Sequence, residues 1–217
     1  MVQIVPVVNV KTYKKFQDRI GFLKDFSGIF QIDVSDGKFC SFKNWADPAK
    51  IKKIRSIKRK FEFHLMVDSP EKSIEDFLEA YPLRVIVHIE SLKNFDFLKE
   101  TCQKQEERVE LGLAINPFTE VQLLKKYLDK KMVNFVLVLG VEPGPSGQKF
   151  QWFVLDRIKE LRKKYPHLNI ELDGGINEEI ALKAKEAGAN LLAIGSYLFE
   201  SKNPKERLKK LEELLNK

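Results

Sequence analysis

Two aspartates and a histidine end three apolar stretches: Asp33 in QIDVSDG (31–37), His64 in FEFHLMV (61–67) and Asp173 in NIELDGG (169–175). If each stretch is a strand, its side chains alternate between two faces. Phe30, Ile32 and Val34 then oppose Gln31, Asp33 and Ser35. Phe63, Leu65 and Val67 oppose Glu62, His64 and Met66, and Ile170 and Leu172 oppose Asn169, Glu171 and Asp173. Burying a carboxylate without a partner is costly, so polar faces turned inward must meet one another. Two aspartates and one histidine gathered at one point have the donors for a divalent metal or for acid–base chemistry.

The rest of the chain supplies elements that would bring them together. Strand-like runs fall at 3–9, 29–34, 61–67, 84–89, 109–115, 133–141, 168–173 and 190–195. Amphipathic helical patterns lie between and after them. Their faces are Phe16, Ile20 and Leu23; Ile51, Ile54 and Ile57; Ile74, Phe77, Leu78 and Tyr81; Val121, Leu124 and Leu128; Val154, Ile158, Leu161 and Tyr165; and Leu208, Leu211 and Leu215. Asp47-Pro48, Ser69-Pro70 and Asn203-Pro204 each place a capping residue before a proline, Thr119 with Gln122 fits a capping box, and Gly188 fits a helix stop. Eight strands alternating with helices, with no linker or composition break, predict one α/β domain over 1–217, a (β/α)8 TIM barrel with a parallel eight-stranded core. An open doubly wound sheet is the alternative, but the glycine fingerprint expected after its first strand is missing.

A barrel puts chemistry at the C-terminal ends of its strands, where Asp33, His64 and Asp173 all fall. Glu62 and Glu171 sit one layer deeper, and pairing with basic groups near the barrel floor is expected of them. Three late loops, EPGPSGQ (142–148), DGG (173–175) and GS (195–196), are rich in small residues. Such loops let backbone N–H groups approach an anion, and barrels often hold phosphate there, so a small phosphorylated ligand is implied.

Composition bounds the remaining possibilities. The chain has 217 residues, 43% of them hydrophobic, and a net charge of +7 from 38 basic and 31 acidic residues. The basic residues mix with glutamates in helical stretches and no recognition motif accompanies them, so nucleic acid is not an expected partner. No run of eighteen apolar residues offers a membrane span. The opening MVQIVPVVNV reads as a first strand, not a signal peptide, and Cys40 and Cys102 fit a reducing, cytoplasmic setting. No lysine at the cavity's strand ends points to a Schiff base, and Ser35 stands where a D-x-K-x-x-D decarboxylase has its lysine.

The segments QIDVSDGKF, HLMV, INPFT, VEPGPSGQKF, LDGGIN and GANLLAIGSYLF occur in the order and spacing of the ribulose-phosphate 3-epimerases, and the chain resembles that family over nearly its whole length. The resemblance implies an isomerase of the pentose phosphate pathway that interconverts D-ribulose 5-phosphate and D-xylulose 5-phosphate. It implies one divalent metal (Mg, Mn, Fe or Zn) on Asp33, His64 and Asp173, with the two aspartates as the acid–base pair. Phosphate would lie on Gly147, Gly174, Gly175, Gly195 and Ser196. The family commonly forms dimers or hexamers, so a homo-oligomer is implied. Gln31 replaces the family's first metal histidine; an amide oxygen is a harder, weaker ligand, which shifts preference from zinc towards magnesium or manganese. Val7 replaces a serine, Asn9 adds a polar group, and Ser35 and Leu139 replace two of three methionines, leaving Met66; these five residues are expected to line the sugar. Pro145 and Ser146 alter the family's PGFGGQ loop. The departures keep two alternatives open, an epimerase of a hexulose 6-phosphate and a phosphosugar-binding relative without catalysis. Trp45 is read as part of a lid or as an apolar anchor, His88 and Glu90 as supporting groups at the end of the fourth strand, and His167 as an exposed loop residue.

Overall fold

In the computed structural model, which describes residues 2–23, 26–58 and 60–216, the alternating runs become eight parallel strands. They are β1 (Gln3–Val8), β2 (Phe30–Ser35), β3 (Phe61–Met66), β4 (Arg84–His88), β5 (Glu110–Ile115), β6 (Phe135–Leu139), β7 (Asn169–Asp173) and β8 (Leu191–Ile194). Each pairs with the next, and β8 closes on β1. The helices are α1 (Tyr13–Leu23), α2 (Pro48–Ile51), α3 (Ile74–Leu78), α4 (Phe95–Gln103), α5 (Lys125–Asp129), α6 (Val154–Lys164), α7 (Glu178–Ala187), α8 (Ser196–Phe199) and α9 (Pro204–Leu215). The expected (β/α)8 TIM barrel is therefore present. Among the described residues no helix is long and apolar enough to cross a membrane.

Strand alternation sorts the core as expected. Ile32, Val34, Phe63, Leu65, Ile170 and Leu172 join a large apolar cluster with the buried faces of the helices. Inside the barrel lie two smaller clusters. One is Val5, Val7, Ile29 and Ala193; the other is Ile86, Ala114, Phe135, Leu137 and Leu139. Gln31, Asp33, Glu62, His64, Glu171 and Asp173 are buried too, as the polar part of the interior.

Helix ends show where local signals hold. Asp47 and Asn203 cap α2 and α9 by accepting from the Lys50 and Glu206 backbone N–H groups, and Gly188 ends α7 at φ 110°. Other expectations need correction. The second helix breaks at Ile54 into α2 and a 3₁₀ turn, Arg55–Ile57; like charges on Lys50 and Lys53 and on Lys52 and Arg55, three apart, oppose a continuous helix. The third stops at Leu78, three residues short of Tyr81, which precedes Pro82 where helix is disfavoured and stands 44% exposed at φ 59°. Ser69 opens a 3₁₀ turn without a side-chain cap bond. Val121 and Leu124 lie in a 3₁₀ turn that precedes α5. Thr119 and Gln122 form no capping box: their side chains go to Glu90 and Glu160.

Candidate active site

Strands β2 and β3 are in register where Asp33 faces His64, and Asp173 arrives from β7, beyond β1 and β8. One ligand-capable atom from each of the three buried residues lies within 4.8 Å of the others. His64 Nδ1 is 3.4 Å from Asp33 Oδ1 and 3.4 Å from Asp173 Oδ2. Between them sits the Gln31 amide. Its Nε2 donates to Asp33 Oδ1 and to Asp173 Oδ2, each at 2.7 Å, and lies 3.3 Å from His64 Nδ1.

The imidazole is fixed from behind by a chain of acceptors and donors. Glu90 accepts from the Asn116 backbone N–H at 2.7 Å and from the Thr119 hydroxyl. Its other oxygen is 3.2 Å from His88 Nδ1. An ionised carboxylate only accepts, so His88 Nδ1 carries the hydrogen and its Nε2 is left to accept from His64 Nε2, 2.8 Å away. His64 Nδ1 is thereby turned to the two acids, free to hold a proton or to offer a lone pair. Phe39 packs its ring 4.7 Å from that of His88 and covers the relay.

Electrostatics follow from burial and these contacts. Burial pulls His64 down, but its hydrogen bonds to Asp173 and Asp33 outweigh it and hold the pKa at about 9. Burial lowers His88 to about 4 against the pull of Glu90, so it is neutral at pH 7 as the relay requires. Asp33 is raised, by burial first and also by Asp173 beside it, against the hydrogen bonds from His64 and Gln31. One layer below, Glu62 is raised by burial to about 7, with Arg84 at 3.6 Å opposing the rise. Glu171 is raised well above its ordinary value, by burial first and also by Glu62. The floor thus departs in part from the expected pairing with basic groups: Arg84 lies 3.6 Å from Glu62, and the carboxylate oxygens of Glu62 and Glu171 have no hydrogen-bond partner.

The rim is built from backbone. Gly147, Gly174, Gly175, Gly195 and Ser196 line the cavity that Asp33, His64 and Asp173 share. Gly174 and Gly175 have φ of 100° and 69°, a left-handed turn open to glycine, and a Cβ on Gly174 would stand 2.6 Å from Val141 Cγ2. The 142–148 loop closes on itself through Gln148 Nε2, which donates to the carbonyls of Glu142 and Pro145 at 2.7 and 3.0 Å. No lysine or arginine lines this cavity among the described residues.

Val7, Asn9, Met66 and Leu139 line the same cavity. Ser35 does not. It is buried with Oγ 3.9 Å from Met66 Sδ and borders a neighbouring cavity beside Lys43, Asp68 and Phe77, because the strand has by then passed the cluster. Trp45 is the apolar anchor: its ring lies 4.7 Å from that of Phe16 and 5.0 Å from that of Tyr13, and its backbone N–H donates to the Val10 carbonyl. His167 is exposed. Sequence reasoning missed Asn44, whose Nδ2 donates to the Asp33 carbonyl at 2.8 Å and to Asn9 Oδ1 at 3.2 Å, while its own Oδ1 accepts from the Ser35 N–H. It also missed Asn116 and Thr119 behind Glu90. Both sit in loops, where no periodicity reports direction.

The residues fit a divalent metal. Two carboxylates and a nitrogen converge within 4.8 Å of one another around the amide nitrogen of Gln31, whose buried oxygen, Oε1, has no hydrogen-bond partner.

A closed parallel barrel with an acid–imidazole cluster at the C-terminal ends of its strands, ringed by glycine turns, has the build of barrel enzymes that act on small anionic molecules. The chain belongs to the ribulose-phosphate 3-epimerase family, whose model matches residues 4–199. It is 31% identical over 209 residues to a ribulose-phosphate 3-epimerase of Schizosaccharomyces pombe, covering 94% of this chain and 90% of that one. It is 33% identical over 195 residues to that of Bacillus subtilis, covering 87% of each. Among solved structures, 3-hexulose-6-phosphate synthase from Salmonella typhimurium superposes with a TM-score of 0.70 at 12% identity, covering 99% of each chain. Orotidine 5'-phosphate decarboxylase from Pyrococcus horikoshii does so with 0.68 at 14%, covering 99% of this chain and 100% of that one. These two likenesses show the fold.

Proposed function

We propose that this chain interconverts D-ribulose 5-phosphate and D-xylulose 5-phosphate by proton transfer at the carbon beside the ketone. The observation that carries the reading is the pair of carboxylates, Asp33 on β2 and Asp173 on β7, each 2.7 Å from one shared nitrogen at the mouth of one cavity. Inverting a carbon requires a proton to leave one face and another to arrive on the opposite face. Two acids from different sides of a cavity supply that, one acting as base while the other acts as acid. Asp33, by burial and by its neighbour, is raised towards the range where a carboxyl exchanges protons readily. His64, held by His88 and Glu90, keeps one nitrogen at the acids and balances their charge.

A divalent metal held by Asp33, His64 and Asp173 would supply Lewis-acid stabilisation of the negative charge that builds on the ketone oxygen. Gly147, Gly174, Gly175, Gly195 and Ser196 would take the phosphate on backbone N–H groups and one hydroxyl, since the cavity's described lining has no basic side chain. Val7, Asn9, Met66 and Leu139 would face the sugar. Neither a hexulose 6-phosphate substrate nor a non-catalytic role is favoured by the family match, and the intact acid pair speaks for turnover. We extend the reading to one domain over 1–217, a place in the pentose phosphate pathway, a cytoplasmic setting and self-association, with no nucleic-acid or membrane partner.

Turnover of ribulose 5-phosphate by the purified chain, with magnesium, manganese, iron or zinc added in turn, tests this. Formation of xylulose 5-phosphate with at least one of them is expected. Absence with all four would refute the reading.

A further inference from the structure

Gln31 has two chemically opposite ends at the same point, and the structure uses one of them. Its Nε2 takes the place between Asp33 Oδ1, Asp173 Oδ2 and His64 Nδ1, at 2.7, 2.7 and 3.3 Å. An amide nitrogen has two hydrogens, one for each carboxylate. The amide oxygen could not sit there, because it would face two acceptors at hydrogen-bond distance. Oε1 is therefore turned away into fully buried surroundings, where it has no partner. A divalent cation among the same three residues reverses every one of these preferences. It repels the N–H groups, draws the carboxylates to itself, and attracts the oxygen. The two arrangements differ by a half-turn about the last torsion of the side chain, which is broad and roughly two-fold.

We propose that Gln31 is a cation-responsive ligand. Without a metal its NH₂ bridges Asp33 and Asp173 and keeps the pair together. When a divalent cation enters, the amide turns over and Oε1 becomes the fourth protein ligand. This rests on the reading of the Asp33–His64–Asp173 cluster as a metal site. Two consequences follow. The cation displaces two hydrogen bonds to charged oxygens before it binds, so affinity is lower than at a site preset with imidazole. The added ligand is a hard oxygen, so magnesium and manganese gain relative to zinc.

The test uses the full chain, stripped of metal by a chelator and returned to metal-free buffer. The side-chain ¹⁵N–¹H signals of Gln31, assigned by their loss in Gln31→Leu, are followed during magnesium titration. Magnesium saturation should shift both signals, because both hydrogens leave the Asp33 and Asp173 carboxylates. Manganese binding, read by its electron paramagnetic resonance, should weaken on the order of 10- to 100-fold in Gln31→Leu, the range that even outer partners of a metal command. Gln31→His should gain zinc affinity relative to manganese. Unchanged Gln31 signals while magnesium saturates the protein, or wild-type manganese affinity in Gln31→Leu, would overturn the proposal. So would failure of the wild-type chain to bind any of these cations, even with turnover intact. If the signals respond and the cation binds but ribulose 5-phosphate is not turned over, the switch stands and the proposed substrate falls.

Discussion

Replacing Glu171 by glutamine should make the protein more stable at pH 8 while changing little at pH 5. Glu171 and Glu62 are fully buried beneath the cluster, and Arg84 lies 3.6 Å from Glu62. Burial raises Glu62 from 4.5 to about 7 and Glu171 well above its ordinary value. For acids raised on folding, the sign is fixed: the folded chain binds more protons than the unfolded one above pH 4.5, so stability falls as pH rises. The neutral pair's contribution is complete below about pH 4.5 and is lost on the way to pH 7 and beyond. For Glu62 the rise of 4.5 to about 7, at about 1.4 kcal/mol per unit, corresponds to about 3 kcal/mol. Glutamine copies the shape of the protonated acid, can donate to Glu62 without holding a titratable proton, and leaves Glu62 to Arg84 alone. The substitution removes Glu171's share of the loss and leaves Glu62's burial cost in place, so Tm at pH 8 should rise by about 2–4 °C for each kcal/mol relieved. Thermal and urea melts of both chains at pH 5, 6, 7 and 8 measure the difference; comparing them at each pH cancels the slope that His64 gives to both. A difference that does not grow with pH, or a variant less stable than wild type at pH 8, would refute the raised titration of Glu171.

Glu90→Gln should loosen the relay behind His64, since an amide can offer its NH₂ to His88 Nδ1 and reverse the hydrogen-bond direction. Turnover and metal affinity are expected to fall by about 10- to 100-fold with Tm nearly unchanged; an unchanged pH–rate profile would count against the relay. Gly174→Ala meets both a φ of 100° and a Cβ 2.6 Å from Val141 Cγ2. It should raise KM for the phosphorylated substrate and weaken inorganic phosphate binding far more than it weakens manganese binding, measured by titration calorimetry. Asn44→Ala should lower turnover more than Tm, because Asn44 holds the Asp33 carbonyl and the Asn9 side chain and carries no part of the apolar core.

Much of the barrel was legible because burial on both strand faces leaves a clear signature: Ile32, Phe63 and Leu172 had to face helices, which sent Asp33, His64 and Asp173 inward. The caps at Asp47 and Asn203 were legible for the same local reason, since each signal acts within three residues. What stayed hidden depended on closure of the barrel. Gln31 could be read as an oxygen donor, but the direction of its amide is decided by Asp173, 142 positions away. Thr119 matched a capping box, yet Glu90 takes its hydroxyl. Ser35 shares a strand face with Asp33 but lies one step too far along to see the same cavity.

The direct measurement of proton transfer by the two aspartates is solvent exchange at the carbon beside the ketone. Asp33→Asn and Asp173→Asn, incubated in D₂O with ribulose 5-phosphate and separately with xylulose 5-phosphate, are followed by ¹H NMR. Interconversion should fall by about 10²- to 10⁴-fold in both. Each variant should still exchange the C3 hydrogen of one epimer without inverting it, and the two variants should choose opposite epimers. Both variants exchanging the same epimer, or either interconverting the two at the wild-type rate, would contradict a two-sided acid–base pair.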